Sequence, residues 1–181
     1  MGDIKILSEM IRKTATVVLE GGADQPRAVL RELGVVDSSV TISRLPSDAL
    51  IIKSDCFISP DHVFNGGKGE CARADYVIIS EKKKCVIYIE MKRTKDSKSH
   101  VIKQLTGAHC FIGYCKKIGR LFWEEQLFMK GYAYRFVSIG HTSVSKRKTR
   151  VTKDDNVHDT PQKAMKIDWP KDIQYNKLAG M

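Results

Sequence analysis

The pattern of apolar and polar positions is organised around residues 73–92. There Tyr76, Val77, Ile78 and Ile79 precede the charged run Glu81-Lys82-Lys83-Lys84, and Cys85, Val86, Ile87, Tyr88 and Ile89 follow it. Two runs rich in β-branched and aromatic residues, separated by four residues unfit for a core, predict a β-hairpin. With those four residues as the loop, Ser80 faces Cys85 and Asp75 faces Glu90. Upstream, Ile4, Leu7, Ile11, Ala15 and Val18 recur at helical spacing, which predicts a helix over residues 4–19 stopped by Gly21-Gly22. Residues 26–33 read as a short helix, with Pro26 in its first turn and Gly34 as its stop. Residues 40–44 alternate as a strand does, Pro46-Ser47-Asp48 makes a turn, and residues 49–53 fit a strand or a helix end.

Downstream of the hairpin, Ser97 or Ser99 can cap a helix whose stripe is Val101, Leu105, Ala108, Ile112 and Cys115, with Gln104 at its border. Tyr132, Tyr134 and Phe136 alternate with Ala133, Arg135 and Val137, so residues 131–139 predict another strand of the central sheet. Residues 154–181 are polar, with Met165, Ile167, Trp169, Ile173 and Tyr175 as their apolar anchors. They read as a C-terminal extension that packs on the core or binds a partner, the core itself covering about residues 1–153. The expected architecture is a single α/β domain, a central mixed β-sheet flanked by helices.

The hairpin also carries chemistry. Opposed residues on one face of an antiparallel pair have Cβ atoms about 4.5–5.5 Å apart, and like charges there are destabilising. Asp75 against Glu90 therefore calls for a countercharge, and a hard divalent cation such as Mg²⁺ prefers carboxylate oxygens. Lys92 falls on the same face about 7 Å further along the strand. Paired carboxylates beside an ammonium suit attack on a phosphodiester, where charge develops on the phosphoryl oxygens. Residues 59–70, with Pro60, Asn65, Gly66, Gly67 and Gly69, form a loop that enters the hairpin directly, which makes Glu70 a candidate metal ligand and His62 a weaker one.

Composition narrows the partners. The 181 residues contain 31 Lys and Arg against 21 Asp and Glu, a formal charge of +10, which favours a polyanion such as nucleic acid. Arg93, Lys95 and Lys98 after the hairpin, and Lys146, Arg147 and Lys148 further on, are the candidate phosphate contacts. No run of 18 apolar residues occurs and no basic segment followed by an apolar one opens the chain, so the expectation is a cytoplasmic protein without a membrane partner. Five cysteines without a Cys-x-x-Cys pair argue against a disulfide framework or a zinc ribbon. His109, Cys110 and Cys115 do not share one helix face and make a poor zinc set.

Asp75, a spacer, and then Glu90-Met91-Lys92 resemble the signature of the PD-(D/E)XK nuclease superfamily, with Ala74 where the family name has Pro. The match covers about residues 74–114. The resemblance implies a restriction-endonuclease-like core and a metal-dependent endonuclease that hydrolyses phosphodiester bonds, DNA favoured over RNA. It implies Mg²⁺ or Mn²⁺ held by Asp75, Glu90 and the Met91 carbonyl, with Lys92 positioning water or stabilising charge. It adds Gln104 on the following helix as a residue facing the site, and Glu20, from the first helix, as a further acidic group. A homodimer or a partner protein fits such a nuclease. Two rivals stand beside it: a nucleic-acid-binding module of the same fold that cleaves nothing, and an interaction subunit whose basic face meets an acidic protein.

Overall fold

The hairpin forms in the register that its sequence predicts. In the computed structural model, which describes residues 1–22, 25–32, 34–35, 38–93, 96–140 and 157–181, β4 (Tyr76–Ser80) pairs antiparallel with β5 (Cys85–Lys92), Ser80 opposite Cys85 and Tyr76 opposite Ile89. Both arms are buried almost throughout, which explains why their apolar runs are continuous rather than alternating.

Around the hairpin lies a five-stranded mixed sheet in the order β3-β4-β5-β6-β7. β3 (Leu50–Lys53) runs antiparallel to β4, while β6 (Ala133–Gly140) runs parallel to β5 and β7 (Met165–Asp168) parallel to β6. Parallel neighbours need a long crossover. Here it contains α2 (Lys98–Phe122), whose first turn is capped by Ser97, its hydroxyl accepting the His100 N–H at 3.1 Å. A second sheet joins β1 (Ala28–Arg31), β2 (Ser39–Ser43) and β8 (Asp172–Gln174) in that order. Two more helices, α1 (Asp3–Met10) and α3 (Tyr175–Ala179), complete the elements used below.

Alternation along β5 separates two cores. Cys85, Ile87, Ile89 and Met91 pack with Leu30, Val40 and Ile42 of the small sheet and with Tyr175 and Leu178 of α3. Val86 and Tyr88 pack instead with Ile6 and Leu7 of α1 and with Leu105, Ala108 and Ile112 of α2. The protein is thus α/β in three layers, with the small sheet on one face of the central sheet and the long helix on the other. Each large apolar side chain fully buried in these layers contributes roughly 1.5–3 kcal/mol. Among the described residues no helix is long and apolar enough to cross a membrane.

Two expectations are corrected. The first helix ends at Met10 rather than running over residues 4–19. Beyond it a single 3-10 turn covers Lys13–Ala15, and the β-branched residues Thr16, Val17 and Val18 that follow favour extended backbone: Thr16 bridges Ile52 while the Val17 N–H reaches the Ile51 carbonyl at 2.9 Å. Within the helix expected over residues 26–33, Ala28–Arg31 form a strand, β1, because Val29 and Leu30 pair with Thr41 and Val40, and cross-strand pairing outweighs the local helix-start signal of Pro26. The C-terminal extension takes the first of its two expected placements and packs on the core: Ile167 enters the central sheet through β7, and Ile173 the small sheet through β8.

The N-terminal helix is tied down by one carboxylate. Buried Asp3 accepts the Met129 N–H at 3.2 Å, the Tyr132 hydroxyl at 2.9 Å and the Lys84 ammonium at 3.2 Å. Asp3→Ala leaves two buried donors without an acceptor, for an expected loss of about 2–3 kcal/mol. This would be read as a lower urea midpoint with the slope unchanged; an unaltered midpoint would show that these donors find other acceptors.

Candidate active site

The β4–β5 ladder closes at Tyr76 opposite Ile89, and one further step of the same register sets Asp75 against Glu90. Strand alternation puts Glu90 and Lys92 on the face of Val86 and Tyr88, the face covered by α2. Asp75 shares it, two residues before Val77. Its Oδ2 accepts the Met91 N–H at 2.7 Å. From the other side, the Ser54 N–H donates to the Asp75 carbonyl at 2.9 Å, and the Ser54 hydroxyl donates to the Ala74 carbonyl. Both neighbouring strands therefore hold Asp75 in place.

Glu90 is fully buried, and neither of its carboxylate oxygens has a hydrogen-bond partner. Lys92 Nζ lies 3.6 Å from Oε1, close enough for attraction and too far for a good hydrogen bond. A buried carboxylate so poorly compensated resists ionisation. Burial, and then the charge of Asp75, push the Glu90 carboxyl up to about 9, against the pull of Lys92. Burial likewise raises Asp75 to about 6, although the Met91 N–H and Lys92 draw it down.

Further carboxylates act on this pair. Asp55 and Glu32 raise Asp75, and Asp96 raises Glu90. Asp55 follows β3 by two residues, and its Oδ1 is buried without a partner. Glu32 arrives through a clamp: the Tyr76 hydroxyl donates to the Arg31 carbonyl at 2.6 Å and accepts the Arg31 N–H at 3.1 Å, while Glu32 Oε2 accepts the Arg93 N–H at 2.8 Å. A protein with a charge of +10 thus gathers negative charge at this one strand end. Sequence reading overlooked these three groups. The signal available for Asp55 was its place at the end of a strand flanking Asp75, had residues 49–53 been read as antiparallel to β4.

The other candidates fall in different places. Gln104 lies on the buried stripe of α2, and its Oε1 also lacks a partner. Glu20 sits on no helix; it bridges Arg27 through the main chain, and its carboxylate lies 3.6 Å from the Arg27 guanidinium. Glu70 closes its own turn, Oε2 accepting the Lys68 N–H at 2.8 Å, and such main-chain donors, its own N–H first, hold its carboxyl below the usual range. The carboxylates whose charge bears on Asp75 or Glu90 include neither of them. Lys98 is exposed at the start of α2. Lys95, Lys146, Arg147 and Lys148 lie outside the described residues. All five cysteines are free, and His109 Nδ1 is engaged with the Tyr88 hydroxyl at 3.0 Å.

Among the described residues no group of three or more His, Cys, Asp or Glu side chains is placed to hold a metal ion. Two carboxylates suffice for Mg²⁺, which keeps several waters and takes substrate phosphate oxygens to complete its shell. The orphaned oxygens of Glu90 beside Asp75 fit such a cation. No family model matches the chain, and no curated protein or solved structure matches it either.

Proposed function

We propose that the chain is a metal-dependent endonuclease with a restriction-endonuclease-like core, hydrolysing phosphodiester bonds of nucleic acid, DNA in preference to RNA. One observation carries the reading: a fully buried Glu90, neither oxygen hydrogen-bonded, stands opposite Asp75 one step beyond the last paired residues of the hairpin, with the Lys92 ammonium 3.6 Å away. Such an arrangement weakens an apo protein and suits a site that receives a cation. Asp75, Glu90 and the Met91 carbonyl would hold Mg²⁺ or Mn²⁺, which when bound lowers the pKa of a coordinated water and offsets charge on the phosphoryl oxygens.

The chain's own groups supply the rest. The Met91 N–H fixes Asp75 in one orientation, and burial keeps bulk water off Glu90. Lys92, 31% exposed, is reachable by a substrate and stabilises charge as it develops on the phosphoryl group. Gln104, with Oε1 free to accept, holds the Lys92 ammonium or orients a phosphate through its amide. Exposed Lys98 and the basic surplus of the chain favour the approach of a polyanion. A second copy of the chain would let both strands of a duplex be cut.

Incubation with single- and double-stranded DNA and with RNA, in Mg²⁺, Mn²⁺ or EDTA, tests the reading. Cleavage should require metal and fall about a hundredfold or more in Lys92→Ala. Cleavage in EDTA, or an unimpaired Lys92→Ala enzyme, would end it. A second reading, a binding module of the same fold, is favoured by the charge of +10. It predicts retarded bands on a binding gel, no cleavage, and no heat of divalent-metal binding.

A further inference from the structure

The surface beside the carboxylate pair is aromatic and open where packing alone would bury it. Tyr114, on the outer side of α2, is 56% exposed, and Phe57, in the loop after β3, is 36% exposed. Their ring centroids are 6.4 Å apart, and Phe57 rests on Phe111 at 4.9 Å. The Arg73 guanidinium lies 5.7 Å from the Phe57 ring centroid, a cation–π distance. Helical spacing sets Lys103 and Lys117 on the stripe of Tyr114, eleven residues before it and three after. Cations interleaved with exposed rings are the composition of a nucleic-acid surface, since bases stack on the rings while phosphates meet the charges.

This surface is joined rigidly to the site. Arg73 precedes Asp75 by two residues, and Phe57 follows Ser54, whose N–H is bonded to the Asp75 carbonyl, by three. On the helix side, Gly107 lets the Ala72 main chain press against α2 so closely that a Cβ there would stand 1.7 Å from the Ala72 carbonyl oxygen. Rings and carboxylates therefore share one seam between the loop and α2.

We infer that Phe57 and Tyr114, with Arg73 over the Phe57 ring, form a stacking platform for the unpaired bases of a single-stranded nucleic acid, leading its backbone to Asp75 and Glu90. The inference rests on the nuclease reading of that site and narrows its substrate. Unpaired strands are chosen because a base inside a duplex has its faces covered by its neighbours, whereas any unpaired base offers a π-face whatever its identity. Charge complementarity and continuity with the carboxylates favour this occupant over a second copy of the chain.

The test is fluorescence anisotropy in EDTA, where nothing is cut, with a labelled oligothymidylate and a labelled duplex. Tyr114→Leu, at an exposed helix position, removes the ring and keeps apolar bulk; Phe57→Leu does the same in the loop. Each should weaken single-strand binding about tenfold to a hundredfold, leave duplex binding within about twofold, and be reversed at position 114 by Tyr114→Trp. Leu variants that bind the single strand as tightly as the parent, or that lose both ligands equally, overturn the platform. So does a parent dimer that Tyr114→Leu converts to monomer with oligonucleotide affinity unchanged, which would assign the surface to a second copy. Ring-dependent binding without cleavage under any metal would sink the nuclease reading alone. Metal-dependent cleavage of single strands with the same KM in Tyr114→Leu would sink the platform alone.

Discussion

Replacing Glu90 with glutamine is expected to abolish metal-dependent cleavage, by at least about a hundredfold, and at the same time to make the metal-free protein more stable at alkaline pH. The two effects share one cause. In the unfolded chain this carboxyl releases its proton near the ordinary 4.5, whereas burial keeps the proton on in the folded protein up to about 9. Below the lower value both states are protonated. Between the two values the folded state holds a proton that the unfolded state has lost, so stability falls as pH rises, by up to about 1.4 kcal/mol per unit. Above the upper value the fall ends. Asp75 works in the same direction over a lower window, from 3.8 to about 6. From about 6 to about 9 the decline therefore belongs to Glu90, and Glu90→Gln should flatten it. Urea midpoints across that range, without metal, measure the effect. Parallel profiles for parent and variant would remove the argument from burial, and retained cleavage would remove Glu90 from the cleavage site.

The second large effect is a reversal of sign along one helix. An alanine in place of a helical glycine ordinarily stabilises by about 1 kcal/mol. Gly113→Ala should do so, because nothing lies within 4 Å of the added Cβ. Gly107→Ala should instead destabilise by about 2–3 kcal/mol or more, since its methyl would meet main chain, the Ala72 carbonyl oxygen at 1.7 Å and carbon at 2.7 Å. Backbone at a strand entry has little room to retreat. If it does retreat, Arg73 and Asp75 move with it, and a shift of about 1 Å at reacting groups can cost a hundredfold in rate. Thermal unfolding of the two variants beside the parent decides the matter. Equal melting of Gly107→Ala and the parent would mean that residues 72–75 stand off the helix.

What could be read in advance depended on whether the deciding interaction was local. The hairpin was legible because four charged residues separate two apolar runs, and its register followed from the loop length. α2 was legible from its stripe and from Ser97. Residues 26–33 carried helix punctuation at Pro26 and Gly34, yet their partner, β2, lies further along the chain, and pairing decided their state. Thr16 and Val17 depart from the expected helix for the same reason, their partner being β3. Of the candidate site, Asp75, Glu90 and Lys92 were visible because they share one hairpin. Asp55 and Glu32 lie just after β3 and β1, strands of two different sheets, and no periodicity within their own segments points to Asp75. Glu20 was tied to a helix that ends at Met10, so it followed that helix's misreading.

The order in which the sheets are completed bears on how the protein matures. β7 and β8 come from residues 165–174, and β8 pairs in parallel with β2, from the first third of the chain. A nascent chain that has just delivered β6 already holds Asp75, Glu90 and Lys92, but β6 and β2 still present open edges, the kind of surface that recruits stray strands. Closing them requires contacts of high sequence separation, which form slowly. During synthesis the carboxylate hairpin thus exists before β7 and β8, the strands that cover the open edges of β6 and β2.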